Sequence, residues 1–197
     1  TIANAALFIA LQPLMVPFIS RIIVNERLNI WEWVGTLLAF LGLIVILGEQ
    51  VTVAPEHLAG SLVALFSAFW CSLYIVLGRR YRTNQHIMTF SWTVYVTAAV
   101  VQAVAAIALD GGVFVGDTDT RLALLGLVLL PTVGGHTLAM YLLRHAKSQL
   151  ISFSVPTQFI LCAIAAMFIF NEFPTWWFYA GSILIMCGLI LGIAKGE

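Results

Sequence analysis

Three polar side chains stand inside otherwise apolar stretches, and any chemistry in those stretches falls to them. Gln12 precedes Pro13, with Pro17 one turn on; Gln158 follows Pro156; His136 follows Pro131 and the Gly134-Gly135 pair. An amide left unpaired in hydrocarbon costs about several kcal/mol, so each of these groups must face protein or water. The two glutamines can donate and accept hydrogen bonds, and a neutral imidazole can do both and also take a proton. Thr132, His136 and Met140 recur at helical spacing and are expected on one face. Aromatic candidates for a cavity wall are Trp70 and Tyr74, one turn apart, and Trp92 and Tyr95, whose face Ala99 and Gln102 extend. Amides plus aromatics suit a small neutral or zwitterionic solute with an apolar portion. The competing role for the same side chains is interhelical glue, worth roughly 0.6–2 kcal/mol per hydrogen bond.

Other chemistries lack their residues. No Asp, Glu, Lys or Arg lies in the middle of an apolar run. No GxSxG-like turn offers an activated serine, and His57, His86 and His145 are scattered at the ends of the runs. The loop DGGVFVGDTDT (Asp110–Thr120) is spaced poorly for a calcium-binding loop and lacks its terminal Glu. Cys71, Cys162 and Cys187 show no metal-ligand spacing and are expected as small buried side chains. The expectation is therefore no catalytic residue, no metal and no cofactor. An intramembrane enzyme, or a channel or scaffold, remains the alternative class. Product formation in detergent would mark an enzyme, and non-saturable flux a channel.

Composition dictates the helices that carry these groups. Of 197 residues 61% are hydrophobic and only 9% charged, with net charge zero. Soluble chains carry about 25% charged residues, so this one requires lipid as its solvent. Zero net charge leaves no basic footprint for nucleic acid. Seven runs approach the roughly 20 apolar residues a crossing needs: Ala3–Val24, Trp31–Leu47, Leu58–Leu77, Ile87–Leu109, Leu122–Leu143, Leu150–Phe170 and Trp176–Ile193. None alternates as a barrel strand would, so helices are required. With seven spans, eight of the nine basic residues fall on one side and only Arg121 on the other. The positive-inside rule then puts Arg21, Arg27, Arg79, Arg80, Arg82, Arg144, Lys147 and Lys195 in the cytoplasm, with the C-terminus.

A shift of 146 residues lays NERLNIWEWVGTLLAFLGLIVIL (Asn25–Leu47) on NEFPTWWFYAGSILIMCGLILGI (Asn171–Ile193) with eight identities in 23 positions. Asn25/Asn171, Glu26/Glu172, Trp31/Trp177, Gly35/Gly181 and Gly42/Gly188 carry the signal, and upstream Gln12 falls on Gln158. Five spans separate the two glutamates, so the copies must face opposite sides of the bilayer. An inverted repeat is the construction of many secondary carriers, with sites near the midplane where the halves meet. Each Asn-Glu is expected to end one helix and cap the next, with Pro13, Pro156, Glu26 and Glu172 as hinge and cap residues. The glycines seven apart are expected in helix packing. The repeat also implies a partner for the second copy beginning about 86 residues before Thr1. The fold expected is an all-α polytopic membrane helix bundle of inverted five-helix repeats, with seven of about ten transmembrane helices present.

QPLMVPFISRIIVNERL (Gln12–Leu28), the Gly-spaced helix after it, and GGHTLAMYLLRHAKSQLISFSVP (Gly134–Pro156) resemble the drug/metabolite transporter superfamily, in particular its EamA-like ten-helix members. The resemblance divides the chain into residues 1–50, the last two helices of a first repeat, and 58–197, a complete second repeat. Where the family's second half places a proline 13 residues before its glutamate, this chain has Phe159, with Pro156 one turn earlier. The resemblance implies a secondary-active exporter of a small metabolite, working by alternating access in the plasma (inner) membrane. The partners expected are the lipid bilayer, the solute, protons as a coupling ion, and a second copy through the Gly-rich last helices.

Overall fold

The computed structural model describes residues 7–48, 58–82, 86–110, 117–171 and 173–194; Glu172, one of the expected caps, lies outside the described residues. The elements are α1 (Gln12–Ile23), α2 (Ile30–Leu47), α3 (Leu58–Arg82), α4 (Ile87–Asp110), α5 (Thr118–Leu127), a π-helical segment (Val128–His136), α6 (Thr137–Leu142), α7 (Ser148–Ser152), α8 (Ser154–Phe170) and α9 (Trp176–Ala194). Among the described residues, six stretches are long and apolar enough to cross a membrane, and Leu7–Ile23 supplies a shorter apolar helix. The chain is thus the all-helical, polytopic membrane protein that its composition demands.

Prolines mark the irregularities. The helix entering at Leu7 turns at Ala10 and Leu11, and Pro13 stands in the first turn of α1. A proline has no N–H to give, so the first turn is where it costs least. The sixth span breaks at Phe153, three residues before Pro156, and separates into α7 and α8. In the fifth span, Pro131 sits inside nine residues of π-helix, and the Thr132 hydroxyl donates to the Leu127 carbonyl five residues back at 3.1 Å. Such wide turns free backbone groups and recur at functional sites.

The packing forms two compact units, residues 1–80 with 146–197, and residues 81–145. The centre of the first is the pair α2–α9. The position of a side chain on Gly35 is occupied by the Gly188 carbonyl, and that on Gly42 by the Gly181 carbonyl. The reverse also holds: Gly188 meets Gly35, and Gly181 meets Gly42. Positions that rise along α2 fall along α9, so the two helices run antiparallel. Gly35 and Gly181 are equivalent under the 146-residue shift, as are Gly42 and Gly188. Each glycine therefore meets the other copy's counterpart of its own neighbour, the exchange a two-fold axis generates. Two copies of one helix, packed antiparallel, are the inverted repeat realised in space. Leu43 and Ile185 are fully buried beside the seam, with Ala10, Phe159 and Val155 against them.

The glycine faces of α2 and α9 are filled by each other, and Gly192 additionally approaches Phe153. The expectation for the cysteines is corrected: Cys71, Cys162 and Cys187 are all exposed. A thiol is apolar enough to face lipid, which is the solvent for an outward position on these helices.

The two equivalent asparagines behave alike. Asn25 has φ 54° and Asn171 φ 59°, the left-handed region in which asparagine is among the few tolerated side chains. Asn171 closes α8, and Asn25 follows the end of α1. The Asn of each Asn-Glu thus ends a helix as the repeat requires.

The second unit holds α4, α5, the π segment and α6. Tyr95 on α4 reaches the π segment: its hydroxyl donates to the Thr132 carbonyl at 2.9 Å and lies 2.8 Å from the Thr137 hydroxyl. Asp117 caps α5, accepting from the Thr120 N–H at 2.8 Å and the Thr120 hydroxyl at 2.7 Å. These bonds hold its carboxyl below the ordinary carboxylate range, the side-chain bond contributing most.

Candidate functional site

The first unit contains a polar network that begins at the turn between α1 and α2. The cap of α2 is Asn29, not Asn25-Glu26. Its carboxamide oxygen accepts from the Glu32 N–H at 2.9 Å, and the Glu32 carboxylate accepts from the Asn29 N–H at 2.7 Å. This reciprocal box satisfies two of the N–H groups a helix start leaves open. Glu32 is fully buried, and its other oxygen meets Lys147 Nζ at 2.8 Å. Lys147 is only part-buried, its side chain 36% exposed.

Glu26 departs from its expected role. It does not cap the helix that follows it. One oxygen pairs with Arg79 Nε at 3.0 Å, and the other accepts the backbone N–H of Ser148, the first residue of α7, at 3.1 Å. A carboxylate from the α1–α2 turn therefore satisfies a helix start 122 residues further along the chain, where it also meets the positive end of the helix.

Gln149 ties the network to the prolines. The Pro13 carbonyl would ordinarily accept from the N–H of residue 17, but residue 17 is Pro17 and has none. Gln149 Nε2 fills the gap, donating to the Pro13 carbonyl at 3.0 Å and to Thr36 Oγ1 at 2.7 Å. Thr36 in turn donates to the Glu32 carbonyl at 2.7 Å. On the other side of α1, the Ser72 hydroxyl approaches the Gln12 carbonyl at 3.5 Å. Gln149, Thr36 and Ser72 are completely buried. Replacing Gln149 by leucine strands the Pro13 carbonyl in an apolar interior. A loss of about 1–3 kcal/mol is expected, read as a lower unfolding temperature in detergent, while Gln149→Asn, with its shorter reach, should lose a similar amount.

The residues expected at a midplane site are distributed differently. Gln12 is buried and Gln158 is exposed, and no hydrogen bond joins their amides. Pro13 and Pro156 are both buried. His136, Trp70 and Trp92 are exposed, and Tyr74 and Tyr95 half-buried. Trp70 lies edge-on to Phe66 and Phe69. Thr132, His136 and Met140 do not share one environment: Met140 is buried, Thr132 half-buried and His136 exposed, with Thr132 and His136 in the π segment and Met140 in α6. A cleft of about 520 Å³ lies beside α1, walled by Phe18, Ile22 and Trp33, with Arg21 and Arg27 at its rim. It sits at the Arg-rich end of the helices, not at the level of Gln12.

Glu32, Lys147 and Gln149 were absent from the expected site. Two signals for them are present in the sequence. Asn29-Leu28-flanked NIWE spells Asn-x-x-Glu at a helix start, and prolines four apart at Pro13 and Pro17 leave a carbonyl that needs a distant donor. Which donor supplies it is invisible until the chain is folded.

Sequence-equivalent helices packed antiparallel, proline-broken spans and a buried polar end mark a polytopic helical membrane protein. The chain belongs to the EamA-like transporter family, whose family model matches residues 1–48 and 58–193. It is 28% identical over 179 residues to the S-adenosylmethionine uptake transporter of Rickettsia bellii (strain RML369-C), covering 88% of this chain and 57% of that protein. It is 22% identical over 191 residues to the uncharacterized transporter YdfC of Bacillus subtilis (strain 168), covering 97% of this chain and 62% of that one. The chain thus spans about three-fifths of the length of these relatives. A solved crystal structure matches 99% of the chain, and 67% of its own, with a TM-score of 0.85 at 22% identity, which is a likeness of fold.

Proposed function

We propose that this chain is part of a secondary-active carrier that moves a small neutral or zwitterionic metabolite, such as an amino acid, by alternating access around a midplane cavity. The observation that carries the reading is the antiparallel glycine seam between equivalent helices, in a chain of a transporter family. Two halves related in this way can expose one site to either face in turn. The Arg-rich side is taken as cytoplasmic, with the C-terminus there, in the plasma membrane. Export is the direction the family resemblance implies. One relative is named for uptake of S-adenosylmethionine, a name that favours the opposite direction and adds that solute to the test panel.

Gln158, His136, Trp92 and Trp70 are exposed side chains on otherwise apolar spans, outside the core of either unit. We assign them, with Gln12, Tyr74 and Tyr95, to the solute-facing surface, and His136 to proton coupling. The test is exchange of labelled amino acids, nucleosides, sugars and S-adenosylmethionine in proteoliposomes, loaded on either side and with or without a pH gradient. Gln158→Ala and His136→Ala should insert normally yet lower apparent solute affinity at least tenfold. Wild-type exchange by both variants refutes the site, and non-saturable flux refutes the carrier.

A further inference from the structure

We infer that Glu26, Arg79, Glu32 and Lys147 form the gate that closes the Arg-rich end of the bundle, and that the gate opens by breaking these pairs. The inference rests on the carrier reading above and assigns parts to it.

The four charges come from four separate segments: the α1–α2 turn, the first turn of α2, the end of α3, and the residue that precedes α7. Glu26 and Glu32 belong to the first copy of the repeat, and their partners follow it in the chain. Each contact therefore bridges segments that are distant in sequence: Glu26 to Arg79, Glu26 to the Ser148 N–H, and Glu32 to Lys147. Behind them lie the buried polar groups of Thr36, Gln149 and Ser152. Removing the ion pairs uncovers these groups.

The chemistry suits a closure that must be undone. A buried ion pair loses hydration on forming, and well-packed apolar side chains of similar size hold a fold at least as well. As a static brace the pairs are poorly chosen. As a latch they are well chosen, because the opened state is charged and finds its compensation in water. The basic partners are the accessible ones, with side chains 27% exposed for Arg79 and 36% for Lys147, against 12% and 1% for Glu26 and Glu32. Water thus reaches the cations first. The glycine seam has the opposite character: backbone meets backbone, with no ion pair across the four glycines. The seam holds the two copies together while the charged end opens and closes.

The test reads accessibility, not transport. Ser152 is fully buried one turn inside Ser148, and Ser152→Cys is nearly isosteric. In protein with Cys71, Cys162 and Cys187 replaced by serine, and reconstituted in nanodiscs without solute, this probe should react slowly with a hydrophilic maleimide. The double variant Arg79→Gln/Lys147→Gln should react at least tenfold faster. The charge-conserving variant Arg79→Lys/Lys147→Arg, which leaves the Glu32 cap untouched, should label nearly as slowly as the parent. If a double variant does not yield monodisperse protein, Arg79→Gln alone is measured, where Ser148 still holds Glu26, with at least threefold acceleration expected. Labelling of the charge-deleted variants within twofold of the parent overturns the gate, as does a charge-conserving variant that labels as fast as the charge-deleted form. If labelling follows the expected pattern and no solute is exchanged in proteoliposomes, the gate stands and the carrier reading fails.

Discussion

Gly35→Leu is expected to leave almost no folded protein. A side chain there begins inside the van der Waals envelope of the Gly188 carbonyl, with the Gly192 backbone next to it. Overpacking a core commonly costs about 1–3 kcal/mol when neighbouring side chains can rearrange. Here the obstacles are backbone atoms of a helix, which cannot rotate away, and the helix pair must separate along its length. The loss should exceed about 3 kcal/mol, beyond what overpacking ordinarily costs. Even Gly35→Ala should lower the unfolding temperature, although alanine is the better helix former. Gly42→Leu should behave like Gly35→Leu, since Gly42 meets the Gly181 carbonyl and Ile185. Gly126→Ala is the control: nothing lies within 4 Å of its added carbon. Size-exclusion yield and thermal unfolding in one detergent check all four. A monodisperse Gly35→Leu protein with parental stability would show that α2 and α9 do not pack through this face.

Lys147→Met is the second large effect. It leaves one oxygen of a carboxylate that is 1% exposed without its cation, although the other keeps the Asn29 N–H. Removing one partner of a buried pair costs about 3–5 kcal/mol. The lysine is partly exposed, so the lower end applies, and a fall of roughly 6–12 °C in Tm is expected for a chain of this size. Adding Glu32→Gln should recover most of that loss, because the amide oxygen can still accept the Asn29 N–H while the unpaired charge is gone. A double variant no more stable than Lys147→Met would mean that the loss does not come from the stranded carboxylate.

The variants follow from features with different visibility. Paired glycines at Gly35/Gly42 and Gly181/Gly188 declared packing faces, and in the structure these faces meet each other within the chain. Asn25 and Asn171 were legible as helix ends, since few residues tolerate their backbone geometry. Glu26 was legible as a capping group but not as the cap of α7, which lies 122 residues away. Thr132 and His136 share a face only at 3.6 residues per turn, and the π segment around Pro131, which holds both, removes that assumption.

Composition and the length of the apolar runs were enough to read this protein as a bundle of membrane helices and to place those helices along the chain, and the 146-residue shift was enough to mark α2 and α9 as equivalent. These properties depend on solvent transfer and on local backbone preference, and both act residue by residue. Only the tertiary structure decided which partner each polar group takes: Gln149 for the carbonyl that Pro17 leaves open, Lys147 for Glu32, Arg79 and the Ser148 N–H for Glu26. A buried donor or acceptor must be satisfied by whatever the folded chain brings within about 3 Å, and that neighbour is set by packing across the bundle, not by anything nearby in the sequence.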